Sequence, residues 1–371
     1  MTQEATTARL ISTGVPSSGA EAVTEDRAVE LAAEALRSGG MVVLPTETVY
    51  GVFAADDDAG RGALSAFLGE SAVVGAAWHA ASAGDAAKEL GLLDARHRRL
   101  VNRLLPGPVT LVGPMGGRAV RVVETELTRR VLAAMGERRV IASAMAGRSQ
   151  DGLALGDGRR LDRLADRLDA LGAAGVSLVI DAGPARLGVV STLIRLAPDG
   201  SADVTRRGAV PDHRVQRSLE RRVLFVCTGN TCRSPMAESI ARSLGSSRDY
   251  AGLRVASAGL SASSGAPMTP DAVAALRSRG IDPHDHVSRP LTDELVEWAD
   301  EIYGLTASHL NVIAAGHPSS AGKTTLLDPE GSDVTDPFGG THAVYDATCG
   351  ALLGMVERRL GSGVEAPGRP A

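Results

Sequence analysis

The run Cys227-Thr228-Gly229-Asn230-Thr231-Cys232-Arg233-Ser234-Pro235 places two thiols and a guanidinium within nine residues, directly behind the apolar Val223-Leu224-Phe225-Val226. An apolar strand that breaks into a short glycine-containing loop and resumes as a helix turns several backbone N–H groups into one small bowl, with the positive end of the helix dipole behind them. Such a bowl binds an anion the size of phosphate. Cys227 stands at its mouth and Arg233 six positions further on, so a thiolate meets the bound phosphorus while the guanidinium clamps two non-bridging oxygens. The chemistry this predicts is phosphoryl transfer through a phosphocysteine, with Cys227 as nucleophile and Thr228, Gly229, Asn230, Thr231 and Cys232 around the anion. Ser234 suits either the N-cap of the helix or a hydrogen bond to the thiolate, and Pro235 suits the first helical position, where its missing N–H is not needed.

A phosphocysteine route also needs a general acid for the leaving group, and the same carboxylate can then activate water. Two Asp-Pro pairs compete: Asp328-Pro329 at a strand end, and Asp336-Pro337-Phe338-Gly339-Gly340 on the loop beyond it. Asp336 is the better acid, because a residue before proline is held extended, the two glycines let the loop fold over the bowl, and Phe338 offers a wall for a substrate side chain. Asp328 reads as a turn cap. No metal is needed for this chemistry. His317-Pro318-Ser319-Ser320-Ala321-Gly322-Lys323-Thr324 imitates a nucleotide loop, but its glycine spacing is one residue too long and it leads into a strand.

These residues need elements to hold them. The pattern from Arg221 onward is strand 222–227, helix 235–244, strand 253–258, helices 270–279 and 292–299, strand 301–305, helix 307–315, strand 324–327 and helix 341–360. Alternation of this kind predicts a doubly wound parallel sheet with ligands at the carboxyl ends of its strands. Cys349 falls on one stripe of the last helix with Tyr345, Leu352, Val356 and Leu360 and reads as core.

The preceding half is also α/β. A helix from Glu25 ends at Gly39-Gly40 and is followed by the strand Met41-Val42-Val43-Leu44. Further strands are expected at Val73–Trp78, Val109–Val112, Ala119–Val123, Val140–Ala144, Val176–Ile180 and Val189–Ile194, with helices near 82–90, 96–105 and 157–172. The expected division is a disordered leader at 1–20, a mixed-sheet domain at 21–210, a polar linker at 211–220, the parallel-sheet domain at 221–361 and a flexible tail at 362–371.

With 371 residues, 44% of them hydrophobic, both halves can bury a core, and a net charge of −5 gives no global attraction to nucleic acid. Three cysteines, two of them in the phosphate loop, argue against a disulfide scaffold and for a reducing compartment. The residues from Met1 to Gly19 show no apolar signal region, and no run approaches the ~20 apolar residues of a membrane span, so the expected location is the cytoplasm.

The first half carries, in order, Leu44-Pro45-Thr46-Glu47-Thr48-Val49-Tyr50-Gly51-Val52, Leu105-Pro106-Gly107-Pro108-Val109-Thr110-Leu111-Val112, Asp181-Ala182-Gly183-Pro184, Gly188-Val189-Val190-Ser191-Thr192 and Arg206-Arg207-Gly208-Ala209-Val210. Over about 25–210 this resembles the YrdC-like family, which includes the threonylcarbamoyl-AMP synthases. The resemblance implies a twisted mixed sheet, ATP as nucleotide, threonine and bicarbonate as co-substrates, and tRNA or other double-stranded RNA as partner, with Thr46, Arg121, Ser143, Ser191 and Arg206 as ligand contacts. The family's Lys-x-Arg-Pro element is here Phe67-Leu68-Gly69-Glu70-Ser71-Ala72, and its Ser-Ala-Asn has become Ser143-Ala144-Met145. Lys88, the one lysine of this half, reads as a solvated helix-face residue. Two readings follow: a synthase that supplies tRNA modification, and a degenerate binding module for nucleotide or RNA.

The second half, about 221–360, closely resembles the low-molecular-weight protein phosphatases through the Cys227 loop, Ser257-Ala258-Gly259-Leu260, Gly280-Ile281-Asp282, His286-Val287-Ser288-Arg289 and the Asp336 loop. The resemblance implies phosphorylated proteins as substrates, no cofactor, Cys227 as nucleophile, Arg233 as clamp, Asp336 as acid, and Asn230 and Ser234 as the residues that shape the loop and settle the thiolate. Cys232 is either the family's resolving cysteine, able to form a reversible disulfide with Cys227, or a small residue that fits the loop. Thr231 and Asp336-Pro337-Phe338-Gly339-Gly340 resemble the bacterial protein-arginine phosphatases, whereas tyrosine-directed members commonly carry Ile at the former position. Thr231 is therefore either the selector for phosphoarginine over phosphotyrosine or a space-filling residue of Val-like shape.

Overall fold

The computed structural model describes residues 7–13, 20–91, 93–144, 147–148, 154–156, 168–245, 250 and 252–361. The chain divides into two compact units, 1–219 and 220–371. The expected tail 362–371, most of the expected leader, Met145 and most of the expected helix 157–172 lie outside the described residues.

The first unit is α/β, built on an eleven-stranded mixed sheet. Its order is Ala202–Arg206, Thr192–Leu196, Val109–Val112, Ala119–Arg121, Ala77–His79, Val140–Ala144, Gly51–Ala55, Met41–Leu44, Val176–Asp181, Arg9–Ser12 and Glu21–Ala22. Strand periodicity sorts the core onto two faces. Met41 and Val43 pack with Val52 and Ile141 under the helix Asp58–Leu68, while Val42 and Leu44 pack with Phe53 and Ile180 under the helices Glu25–Arg37 and Glu126–Ala134.

Three expectations for this half need correction. The leader is not structureless throughout: Arg9–Ser12 forms a strand parallel to Val176–Asp181, because Leu10 and Ile11 each bury a side chain on opposite faces of the sheet. The segment read as the linker 211–220 contains the helix Asp212–Leu219, whose Val215 and Leu219 are buried against Leu100, Val101 and Leu104. Arg99 and Arg103 donate to carbonyls at its C-terminal end, which the helix leaves without partners of its own. The stretch Val73–Trp78 is not one strand: the helix Glu70–Val74 ends at Gly75, and only Ala77–His79 enters the sheet.

The second unit is a four-stranded, all-parallel sheet in the order Leu253–Gly259, Arg221–Cys227, Glu301–Gly304, Thr324–Leu326. Val223 and Phe225 point into a core with Met236, Ile240, Leu276, Leu352 and Val356 from the helices Arg233–Leu244, Pro270–Arg277 and His342–Gly361. Leu224 and Val226 point the other way, onto Val296 and Ile313 of the helices Asp293–Trp298 and Ala307–Gly316. Chain order reverses on either side of Arg221–Cys227, so the carboxyl end of that strand is the switch point where such sheets bind ligands. Cys349 is wholly buried on the stripe of the last helix. Among the described residues no helix is long and apolar enough to cross a membrane.

Candidate active site

Cys227 ends the central strand and the helix resumes at Arg233, leaving five residues to form the loop. Asn230 takes the left-handed conformation at φ 55°, which asparagine tolerates better than most residues. The loop also needs Gly259 on the neighbouring strand: a Cβ there would stand 2.6 Å from the Thr228 carbonyl oxygen and 2.9 Å from the Asn230 nitrogen. The Cys227 sulfur lies 3.0 Å from Ser234 Oγ and accepts from the Asn230 backbone N–H at 3.3 Å. Of the two roles open to Ser234, the structure shows the bond to the sulfur. The helix N-cap position is Cys232, and no side chain caps it. Pro235 is accordingly the third helical residue and not the first, a position whose N–H also has no intrahelical acceptor.

Asn230 ties the loop to the body of the unit. Its Nδ2 donates to Ser234 Oγ and Ser257 Oγ at 2.9 Å each, and its Oδ1 accepts from the Arg289 N–H at 2.9 Å. Ser257 Oγ in turn donates to Glu238 Oε2 at 2.6 Å. Burial alone would raise the pKa of Glu238, but the nearby His284 ring and the hydrogen bonds from Ser257 and Arg242 outweigh it and pull the value down to about 2.

The Arg233 guanidinium is buried and donates to Asp336 Oδ2 at 2.6 Å and to the Val334 carbonyl at 3.2 Å. Asp336 Oδ1 accepts from the Phe338 N–H at 3.2 Å, so the Asp-Pro-Phe turn aims the carboxylate at the arginine. These groups wall a cavity of about 350 Å³ together with Thr231, whose hydroxyl lies 3.7 Å from Cys232 Sγ, and the exposed Phe338. Asp328 is buried and accepts from the N–H groups of Glu330 and Ser332, as a turn cap does. Cys232 lies 3.5 Å from both Tyr345 Oη and Thr269 Oγ1, and all three cysteines are free. The false nucleotide loop forms the short helix Pro318–Ser320 and then enters the strand Thr324–Leu326.

One group at this site was not singled out from the sequence. His309, buried on the helix Ala307–Gly316, places Nε2 3.0 Å from Thr228 Oγ1 and Nδ1 2.9 Å from Thr306 Oγ1. Burial first, and the nearby Arg233 charge second, lower its pKa to about 4, so it is a neutral imidazole at pH 7. The available signal was a histidine in the first turn of a helix that follows a strand's carboxyl end, which is where ligands gather in this architecture.

In the first unit Thr46, Arg121, Ser143, Ser191 and Arg206 line one cavity of about 380 Å³. Arg121 donates to Glu47 Oε1 at 2.7 Å and Thr48 Oγ1 at 2.6 Å, and its Nε is buried without a hydrogen-bond partner. Arg206 donates to the Ser191 carbonyl at 3.1 Å, and Ser191 Oγ lies 2.8 Å from Thr110 Oγ1. Thr46 Oγ1 donates to the Val49 carbonyl at 2.5 Å. Arg118, which pairs with Asp56, and Arg195 also reach this cavity from other segments. Lys88 pairs with Asp85 on an exposed helix face.

Comparison with known proteins matches residues 222–362 to the family described as low molecular weight phosphotyrosine protein phosphatase. Residues 34–208 match the Sua5/YciO/YrdC family, described as telomere recombination. A protein-arginine-phosphatase of Bacillus subtilis (strain 168) is 44% identical over 130 residues, which are 34% of this chain and 85% of the relative. One from Geobacillus stearothermophilus is 36% identical over 141 residues, 37% of this chain and 92% of the relative. A probable low molecular weight protein-tyrosine-phosphatase, EpsP, of Ralstonia solanacearum is 39% identical over 117 residues, 31% of this chain and 77% of the relative.

Proposed function

The chain belongs to the low molecular weight protein phosphatase family and carries a Sua5/YrdC domain ahead of its phosphatase domain, and from this we propose that its second unit dephosphorylates arginine side chains of proteins through a phosphocysteine. The observation that carries the reading is the Cys227 sulfur bonded to Ser234 Oγ and the Asn230 N–H in a cavity that also holds the Arg233–Asp336 pair. The sulfur attacks phosphorus, the P–N bond breaks, and the leaving nitrogen takes its proton from the Asp336 carboxyl. Water then attacks phosphocysteine, its proton passes to the Asp336 carboxylate, and the S–P electron pair returns to sulfur as phosphate departs. An incoming phosphoryl group competes with Asp336 for Arg233, which frees the carboxyl for the leaving group.

Thr231 supports arginine over tyrosine as the substrate. A hydroxyl in this wall can accept from a guanidinium N–H that an Ile would leave unpaired, at a cost of about 1 to 3 kcal/mol. The named activity of two relatives, protein-arginine-phosphatase, points the same way. The test is kcat/KM for phosphoarginine and phosphotyrosine in the wild type and in Thr231→Ile. Preference should move toward phosphotyrosine by about tenfold or more, and an unchanged ratio removes Thr231 as the selector. Cys227→Ser should abolish turnover yet still bind vanadate, and normal turnover would exclude the covalent route.

For the first unit the reading is a nucleotide-binding module. Arg195 and Arg206 at its cavity, beside Arg118 and Arg121 that pair with Asp56 and Glu47, support phosphate binding. Threonylcarbamoyl-AMP synthesis for tRNA modification is the second reading, favoured by the convergence of Thr46, Ser143 and Ser191 on the same cavity. ATP binding without release of pyrophosphate from threonine and bicarbonate supports the module, and robust pyrophosphate release supports the synthase.

A further inference from the structure

Behind the phosphate loop, away from the lining of the active-site cavity, Glu238, His284 and His286 each bring one metal-ligating atom to within 4.8 Å of the others. We propose that these three residues form a zinc site. Hydrogen-bond bookkeeping decides which ring nitrogens are available. His286 Nε2 lies 2.7 Å from the Asn230 carbonyl oxygen, which can only accept, so Nε2 carries the hydrogen and Nδ1 keeps its lone pair. His284 Nδ1 lies 2.9 Å from Ser239 Oγ, and that hydroxyl already donates to the Pro235 carbonyl. It must therefore accept from His284 Nδ1, which leaves Nε2 for a ligand. Each imidazole is thus held through its far nitrogen by an oxygen acceptor, the outer-shell arrangement that orients metal-binding histidines.

The carboxylate fits the same scheme. Arg242 occupies Glu238 Oε1, at 3.0 and 2.7 Å. Oε2 accepts from Ser257 and lies 3.4 Å from His284 Nε2. Two ligands bound tetrahedrally at 2.0–2.1 Å are separated by about 3.3 Å, so this edge of the site is already at coordination spacing. The ligating atom of His286 lies within 4.8 Å of both others, at most about 1.5 Å beyond tetrahedral spacing, and His284 is partly exposed, which gives water access to a fourth position. Two imidazoles and one carboxylate are a zinc donor set. The competing account of the same contact is an ion pair between protonated His284 and Glu238.

The test uses the full chain with Co²⁺ as a spectroscopic probe for zinc. The wild type should bind one ion with the visible ligand-field bands of a four-coordinate nitrogen and oxygen site and no thiolate charge-transfer band. His284→Ala and His284→Gln should each weaken binding about tenfold or more. Zn²⁺ should raise the melting temperature of the wild type and not that of the variants. No binding at about 1 mM Co²⁺, far weaker than protein zinc sites, would overturn the proposal. So would wild-type affinity in both variants, or a thiolate band that disappears in Cys227→Ser with Cys232→Ser. The wild-type spectrum separates imidazole from thiolate ligation even if a variant fails to fold.

Discussion

Replacing Asn230 should cost the second unit a defined share of its stability, and the choice of replacement separates two causes. The side chain is fully buried and makes three hydrogen bonds of 2.9 Å, to Ser234, Ser257 and Arg289. At about 1 kcal/mol each, Asn230→Ala loses about 3 kcal/mol from these bonds. The backbone adds a second penalty, because φ 55° costs an alanine about 1 kcal/mol more than a glycine. Asn230→Gly should therefore lose about 3 kcal/mol and Asn230→Ala about 4 kcal/mol, the reverse of the order at ordinary positions. Trp298 lies in the second unit and Trp78 in the first. Urea unfolding followed by Trp298 fluorescence in a Trp78→Phe background therefore reports the second unit alone. Both variants should also lose turnover, since Ser234 no longer has the donor that fixes its hydroxyl beside Cys227. Equal stability of the two variants, or a more stable alanine, would refute the argument from the left-handed backbone. A loss below about 1 kcal/mol in both would refute the argument from the hydrogen bonds.

Asp336→Asn should slow substrates with poor leaving groups by about 100-fold or more and those with good leaving groups far less, and uniform slowing across an aryl phosphate series would point to another acid. His309 is neutral in the fold until about pH 4, whereas the unfolded chain binds that proton below about 6.5. Stability is then intact above pH 6.5 and falls as pH drops toward 4, by up to about 3 kcal/mol, and His309→Phe should flatten that part of the curve. Glu238 follows with the same sign in a lower window, its contribution present above about 4.5 and lost toward pH 2. Cys349, whose thiol pKa burial pushes up, should resist iodoacetamide in the folded chain and react only on unfolding, while labelling in the native state would contradict its place in the core.

The local arrangement of the loop was legible without a structure. The thiol, the loop and the helix that follows it occupy consecutive residues, so a strand-to-helix turn brings Cys227 to Ser234 and Asn230, with Gly259 of the neighbouring strand leaving it room. The alternation of the second unit was equally plain, since Val223 and Phe225 against Leu224 and Val226 state two buried faces in four residues. Asp336 could be named from its Asp-Pro-Phe-Gly-Gly context, but its 2.6 Å contact with Arg233 spans 103 positions and belongs to the tertiary fold. Short or charge-rich elements escaped notice. Arg9–Ser12 is too brief to show a period and becomes a strand only because Val176–Asp181 offers it an edge. Asp212–Leu219 shows only Val215 and Leu219 as apolar positions, and its helix depends on burial against Leu100 and Leu104. His309 against Thr228, His286 against the Asn230 carbonyl, and Arg118 and Arg195 at the first cavity all join side chains from separate elements. Such convergence depends on the packing of whole faces, which one-dimensional spacing does not encode.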